Sequence, residues 1–300
     1  MMTRRIKELL AKIAVRFPVE VAKTRYFLRF GKFPNLKNPY NLNEKILYLK
    51  LYSNTSLWTK LADKYLVRKY VEDCGYADIL IPLIGVWDNV SDIDFSKLPE
   101  KCMLKANNGD GKGTNLIFCK SKFYANEQER IKNTLQSWLD TKNIGALSAE
   151  PQYKGIPPRI IAEKYLEPIF GEASLIDYKI WCFNGKPFSI LCCSDREENG
   201  HVQLGCYDVN WHFHPENMHS TRHHSIQRNP IPKPSQLDHM LEIAHKLSAT
   251  FPEVRVDLYQ YGNKVYFGEL TFTSLGGMMN YYTQEYLEEM GKAVDMTKRY

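Results

Sequence analysis

Apolar residues recur at three- and four-residue spacing through residues 3–17 (Ile6, Leu9, Leu10, Ile13, Ala14, Phe17), while Arg4, Arg5, Lys7, Lys12 and Arg16 fill the other face. This pattern predicts a basic amphipathic helix. Such a helix either docks on the rest of the chain or lies on an anionic membrane surface. Residues 31–43, with Pro34, Pro39 and several asparagines, read as a loop that ends where Asn43-Glu44-Lys45-Ile46 begins a second helix. A third helix is predicted over residues 56–73, where Leu57, Leu61, Tyr65, Leu66 and Val67 keep helical spacing.

Beyond Gly75 the pattern changes to short β-rich runs at residues 79–86, 102–105 and 115–119. The second and third flank the glycine-rich segment Asn107-Asn108-Gly109-Asp110-Gly111-Lys112-Gly113. A helix follows at 126–139, a loop at 140–157, and a short apolar strand at 159–162 that stops at Glu163-Lys164-Tyr165-Leu166. Two hairpins come next. Strands 177–183 and 187–193 flank Asn184-Gly185, a two-residue turn signal, and strands 254–260 and 265–272 flank Gly262-Asn263. Between them, residues 196–235 form a polar stretch with six of the eight histidines, and residues 236–251 read as a helix. No internal repeat is present.

Composition places this pattern in a globular protein. Hydrophobic residues make up 44 % and charged residues 25 % of 300, with 19 Tyr, 14 Phe and 5 Trp to fill a mixed core. No run approaches the about eighteen apolar residues of a membrane span, and the N-terminus lacks the apolar core of a signal peptide. A cytoplasmic protein is expected. Lys and Arg exceed Asp and Glu by 40 to 34, which suits an anionic small molecule, a phosphate-rich lipid surface or nucleic acid. The basic residues are spread along the chain without an aromatic–basic reading motif, so no nucleic-acid partner is expected. Seven cysteines, an odd number without a C-x-x-C pair, read as reduced, buried thiols.

The second hairpin carries the most pointed chemistry. Residues two apart on a strand share a face, so Arg255 pairs with Asp257 and Glu269 with Thr271. A three-residue loop at 262–264 sets Asp257 opposite Glu269 and Arg255 opposite Thr271. Opposed Cβ atoms are about 5 Å apart, and two carboxylates beside an arginine suit Mg²⁺ with nucleotide phosphates. A solvated ribbon with ordinary surface charges has the same pattern. The glycine-rich loop can turn backbone N–H groups toward phosphates, with Lys105 as a point charge; a flexible surface turn has that composition too. It is not a P-loop, since Gly113 follows Lys112 and a strand comes after it, and it is not a dinucleotide fingerprint.

Taken in order, these pieces resemble the ATP-grasp superfamily. The likeness runs through Asp63-Lys64 on a helix, Leu104-Lys105 with the 109–113 loop, Ile161-Ala162-Glu163-Lys164-Tyr165-Leu166, Asp177-Tyr178-Lys179, Arg255-Val256-Asp257 and Glu269-Leu270-Thr271. Asn43-Glu44-Lys45-Ile46, Ala62-Asp63-Lys64, Phe183-Asn184-Gly185 and Gly268-Glu269-Leu270-Thr271-Phe272 are similar to the TupA-like branch, associated with teichuronopeptide and cell-surface polysaccharide biosynthesis in bacteria. The resemblance implies an α+β ATP-grasp fold: two α+β lobes with antiparallel sheets clamping ATP, and a helical N-terminal region. It implies division at residues 1–75, 76–165 and 166–300. Lys64 and Lys105 would hold the α- and β-phosphates under the Gly109, Gly111 and Gly113 loop. Glu163 would meet the adenine amine and Leu166 would offer its N–H, with Lys164 between them. Asp177 would bind the ribose, beside Lys179. Arg255 would meet the γ-phosphate, and Asp257 with Glu269 would hold Mg²⁺. Thr271 stands where many ATP-grasp enzymes carry asparagine.

The implied activity is an ATP-dependent carboxylate–amine ligase acting through an acylphosphate. It would join an amino acid or other amine to a carboxylate, such as a uronic acid of a surface glycan. The alternatives are a kinase acting on a sugar hydroxyl and a non-catalytic polysaccharide-assembly subunit. Asp257→Asn is expected to abolish turnover and leave the fold intact. His212-x-His214 and His223-His224 lack the companions of a zinc site. His-rich residues 201–224, with Arg196 and Arg222, read as a candidate acceptor side, and Trp181 and Trp211 as candidate sugar-stacking or core residues.

Overall fold

The computed structural model describes residues 4–109, 113–142, 144–168, 175–195 and 200–297. The first predicted helix is α1 (Arg4–Arg16). Phe17 then leaves helical geometry, and Pro18, its φ already suited to a first helical turn, opens α2 (Pro18–Phe30). The hydrophobic spacing did not predict α2. It closes on Gly31 at φ 70°, whose N–H donates to the Phe27 carbonyl. Asn41 caps α3 (Leu42–Tyr52) by accepting the Glu44 N–H.

The helix predicted over 56–73 is two helices, α4 (Ser56–Ala62) and α5 (Val67–Asp73). Asp63 breaks it with ψ 112°. Its Oδ1 accepts the N–H groups of Tyr65 at 2.8 Å and Leu66 at 3.2 Å, and the Lys64 N–H donates to the Asn107 carbonyl. Lys64 therefore lies in a bend, not on a helix. Side-chain acceptors compete here with the helix ladder and win.

One sheet comprises β1 (Leu83–Trp87), β2 (Lys101–Ala106), β3 (Asn115–Cys119) and β4 (Ile160–Lys164), antiparallel in the order β1-β4-β2-β3. Strand alternation sends Cys102, Leu104, Ala106, Ile160 and Ala162 to the face covered by α6 (Ala125–Asp140), through Ile131, Leu135 and Trp138. Lys105 and Glu163 are left on the other face.

The larger sheet comprises β5 (Asp177–Phe183), β6 (Lys186–Ser194), β7 (Val202–Asp208), β8 (His224–Ile226), β9 (Glu253–Tyr261) and β10 (Lys264–Thr271), in the order β10-β9-β5-β6-β7-β8. All pairs are antiparallel except β7–β8, which is parallel. The histidine-rich polar stretch thus supplies two strands. Its His201, His212, His214 and His224 bond to Ser225, Asp208, Glu216 and Thr221. One face of this sheet packs Ile180, Val254, Val256 and Leu258 under α7 (Leu237–Ser248) and, from α4 and α5, Trp58, Leu61, Val67 and Val71. The opposite face packs Trp181, Phe183 and Leu191 under α8 (Gln284–Ala293) and, from α3, Leu42 and Ile46. The N-terminal helices α3 to α5 therefore complete the core of the C-terminal sheet.

Both hairpins form. Asn184 (φ 53°) and Gly185 (φ 79°) make the first turn. The second differs from expectation: Tyr261 pairs with Lys264, so its loop is the two residues Gly262-Asn263. Leu258 pairs with Phe267 but Asp257 pairs with Glu269, leaving Gly268 as a bulge. The expected cross-strand pairs are present, produced by a bulge within the strand and not by a longer loop.

Candidate active site

The charged face of the larger sheet gathers around Asp257, which is 1 % exposed. Arg255, two residues along the same strand face, grips it bidentately: Nε to Oδ1 at 2.7 Å and Nη2 to Oδ2 at 2.7 Å. Lys179, opposite on β5, donates to Oδ2 at 2.5 Å. Burial by itself pushes the Asp257 carboxyl up; Arg255 and then Lys179 outweigh it and hold the group below the usual carboxylate range. Burial likewise lowers the Lys179 ammonium, but Asp177, at 3.4 Å, and Asp257 reverse that and hold it charged. Arg255 Nη1 donates to Ser274 Oγ at 2.6 Å and Nη2 to Thr271 Oγ1 at 3.1 Å. The Thr271 hydroxyl in turn donates a hydrogen bond to Glu269 Oε1 at 2.9 Å, and Arg255 Nη2 stands 3.6 Å from that oxygen. The Trp181 ring lies under the guanidinium at 5.7 Å.

The smaller sheet contributes a second cluster. Lys105 Nζ donates to Glu163 Oε2 at 2.6 Å, and Arg68 of α5 reaches Glu163 Oε1 at 3.3 Å. Because α5 is rooted in the core of the larger sheet, Arg68 ties the two sheets together at Glu163. The bend after α4 does the same at the glycine loop, where Lys64 Nζ donates to the Gly109 carbonyl at 2.7 Å. The loop is closed at its base by Ala106 N–H to Thr114 O at 2.9 Å. A Cβ on Gly109 would sit 2.2 Å from Thr114 Oγ1, so only glycine lets the two ends approach. Gly113 holds φ 86°, and Gly111 lies outside the described residues.

Past β10 the chain turns through Leu275, Gly276 and Gly277, all at positive φ. Lys50, 2 % exposed, anchors this turn by donating to the Gly276 and Ser148 carbonyls at 2.8 and 2.6 Å. Burial lowers its pKa to about 8 against the pull of Glu150. Two residues past the turn Asn43 brackets Met279, donating to its carbonyl and accepting its N–H, each at 2.9 Å. Glu44 accepts the Asn35 and Tyr40 N–H groups. Asn43 thus supports the segment that follows Ser274, while Glu44 holds the loop that leads into α3.

The structure brings Lys64, Lys105, Gly109 and Glu163 together on one side, and Asp177, Lys179, Arg255, Asp257, Glu269 and Thr271 on the other. Leu166 is buried just past β4. Lys164 is not brought in: alternation along β4 turns it, exposed, to the opposite side of the sheet from Glu163. Trp181 is fully buried, its Nε1 donating to the Tyr282 hydroxyl at 3.0 Å, which excludes sugar stacking. Trp211 has one face on Tyr207, centroids 4.3 Å apart. Arg196 lies outside the described residues. Arg68 and Ser274 escaped sequence reasoning; each reaches the site across a long sequence separation and leaves no local spacing to read.

The donor set passes a chemical test for magnesium. Mg²⁺ takes one or two carboxylates and fills its octahedron with phosphate oxygens and water, and Asp257 and Glu269 stand in register with a hydroxyl beside them. Two sheets with a glycine loop, a lysine and this carboxylate pair define an ATP-grasp protein. The chain belongs to the TupA-like ATP-grasp family, whose sequence profile matches residues 44–295, and it is an ATP-grasp enzyme. Solved structures similar to it include D-alanine–D-alanine ligase from Bacillus anthracis, at 15 % identity over 81 % of this chain and 69 % of that chain with a TM-score of 0.47. The same ligase from Helicobacter pylori is 16 % identical over 85 % of this chain and 69 % of that chain, with a TM-score of 0.40. A search of curated proteins finds no match.

Proposed function

We propose that the protein is an ATP-dependent ligase that joins an amino acid or other amine to a carboxylate, specifically a uronic acid in bacterial surface polysaccharide biosynthesis. The observation that carries this reading is Asp257, held ionised by two cations and in register with Glu269. In the proposed arrangement Lys64 and Lys105 hold the phosphates under the loop of Gly109, Gly111 and Gly113. Glu163 and Leu166 meet the purine edge, Asp177 with Lys179 the ribose, and Arg255 the γ-phosphate. Asp257, Glu269 and Thr271 would hold Mg²⁺, which when bound neutralises triphosphate charge. A substrate carboxylate oxygen attacks the γ-phosphorus and ADP leaves. The amine nitrogen then attacks the acyl carbon, loses a proton, and inorganic phosphate departs. Arg255 contributes by holding positive charge where the transferring group carries its negative charge. The saccharide acceptor is what the resemblance to the TupA-like branch implies. The seven free thiols suit a reducing compartment, and ATP supply puts the reaction on the cytoplasmic side of the membrane.

Thermal unfolding with ATP and Mg²⁺ tests nucleotide binding without knowledge of the acceptor. At a hundred times the dissociation constant the wild type gains about 2.7 kcal/mol, roughly 5 °C or more, and Lys105→Ala loses the gain. No shift at millimolar ATP defeats the reading. Uronates and amines are then screened for paired ADP and phosphate release. ADP without free phosphate identifies a kinase instead.

A further inference from the structure

Charge is unevenly distributed along this chain. Residues 1–40 contain ten Lys and Arg against Glu8 and Glu20, a net of +8, while the remaining 260 residues carry 30 against 32, a net of −2. The whole positive excess of the protein, +6, therefore belongs to the N-terminal segment. The same segment holds eight of the fifteen large apolar side chains that are exposed among the described residues.

The helices explain this exposure. In α1 the buried residues are Ala11 and Ala14, on the helix that packs against the 146–148 turn, while Leu10 and Ile13, and Phe17 just past its end, stay exposed. In α2 the buried residues are Ala22 and Tyr26. On the opposite face, at 100° per residue, Phe17, Val21, Thr24 and Leu28 follow one another. Leu28 is 77 % exposed and Phe33, just past the Gly31 turn, 64 %. Phe33 stacks on exposed Phe27 with centroids 4.8 Å apart. Arg16, Lys32 and Lys37 are exposed around these side chains.

We propose that α1, α2 and the turn to Phe33 form a docking surface for an anionic lipid bilayer, with Leu28 and Phe33 entering the interface and the surrounding cations meeting phosphate headgroups. Exposed apolar side chains bordered by Arg16, Lys32 and Lys37, with Glu20 as an exposed acid of α2, fit a surface that is apolar below and negative above. A symmetric pairing of two copies would set +8 against +8 and fits poorly. The surface is independent of the acceptor reading, although it would bring the active site to lipid-linked saccharides.

The test is co-sedimentation of the full chain with extruded vesicles of phosphatidylcholine alone and of phosphatidylcholine with phosphatidylglycerol at 3:1. Wild type is expected to bind the anionic vesicles at least tenfold better than the neutral ones, and to be released by 1 M NaCl. The variants Leu28→Ser/Phe33→Ser and Lys32→Glu/Lys37→Glu, all at exposed positions, are expected to lose at least tenfold while keeping the wild-type unfolding midpoint. Equal binding to neutral vesicles, no binding to anionic ones, or variants that bind as wild type each overturn the proposal. So does a dimer on size exclusion that Leu28→Ser/Phe33→Ser dissociates without any vesicle binding. Phosphate release measured without vesicles reports on the ligase separately.

Discussion

Asp257 and Glu269 stand directly opposite each other across β9 and β10 because Gly268 is an extra residue in the second strand. Without that bulge the two-residue turn would pair Asp257 with Gly268 and send Glu269 and Thr271 to the apolar face. A Cβ at position 268 would lie 2.9 Å from the Asp257 carbonyl and 3.0 Å from the Tyr259 ring. Gly268→Ala is therefore expected to destabilise the protein by about 1–3 kcal/mol and to weaken ATP–Mg²⁺ binding. Gly262→Asn, in the open turn at φ 59°, serves as the tolerant control. Equal unfolding midpoints for the two variants would show that the bulge does not set the pairing.

Asp257→Asn tests the charge at the centre of the site. The sequence suggests a variant that is inactive but fully stable; the buried ion pairs with Arg255 and Lys179 revise that. Removing the negative charge leaves two buried cations under-compensated, at a cost of about 3 kcal/mol. Turnover should vanish and the urea midpoint should fall together. A midpoint equal to wild type would show that the cations do not depend on this carboxylate.

Glu253, on the same strand face as Arg255, is fully buried with no hydrogen-bond partner on either oxygen among the described residues. Burial raises its pKa well above the usual carboxylate value, opposed by Arg255. The folded state then binds the proton more tightly than the unfolded state, so its contribution to stability is full at low pH and is lost as pH rises above the unfolded value. Glu253→Gln, which mimics the neutral acid, should raise the midpoint at pH 8 and match wild type near pH 4.5. Parallel pH profiles for the two proteins would show that Glu253 is ionised in the fold.

Asp63→Ala removes the acceptor that turns the chain between α4 and α5. The loss of this cap should cost about 1–2 kcal/mol. Because Lys64 and Arg68 are aimed from that bend, ATP affinity should fall as well, read by titration calorimetry. Asp63→Asn keeps the acceptor oxygen and should restore most of both. Equal losses in Ala and Asn would show that the carboxylate charge, rather than the turn it caps, is what matters.

What the sequence determined by itself was local. The alternation of Arg255 with Asp257, the glycine loop after Lys105, the Asn184-Gly185 turn and the helix read over 126–139 depend on periods and turn preferences within a few residues, and these are written in the chain. What only the tertiary structure decided involves partners far apart. The break after Ala62 is fixed by the Lys64 N–H on Asn107, and the hold on Glu163 by Arg68 from a helix ninety-five residues away. The support of Arg255 by Ser274, the strands in the polar 196–235 stretch and the outward face of α1 follow the same rule. Hydrophobic spacing says which residues can share a face, but not which face a neighbour will cover. That choice belongs to packing between distant elements, and it put Ala11 and Ala14 of α1 inside and left Leu10, Ile13 and the following Phe17 outside.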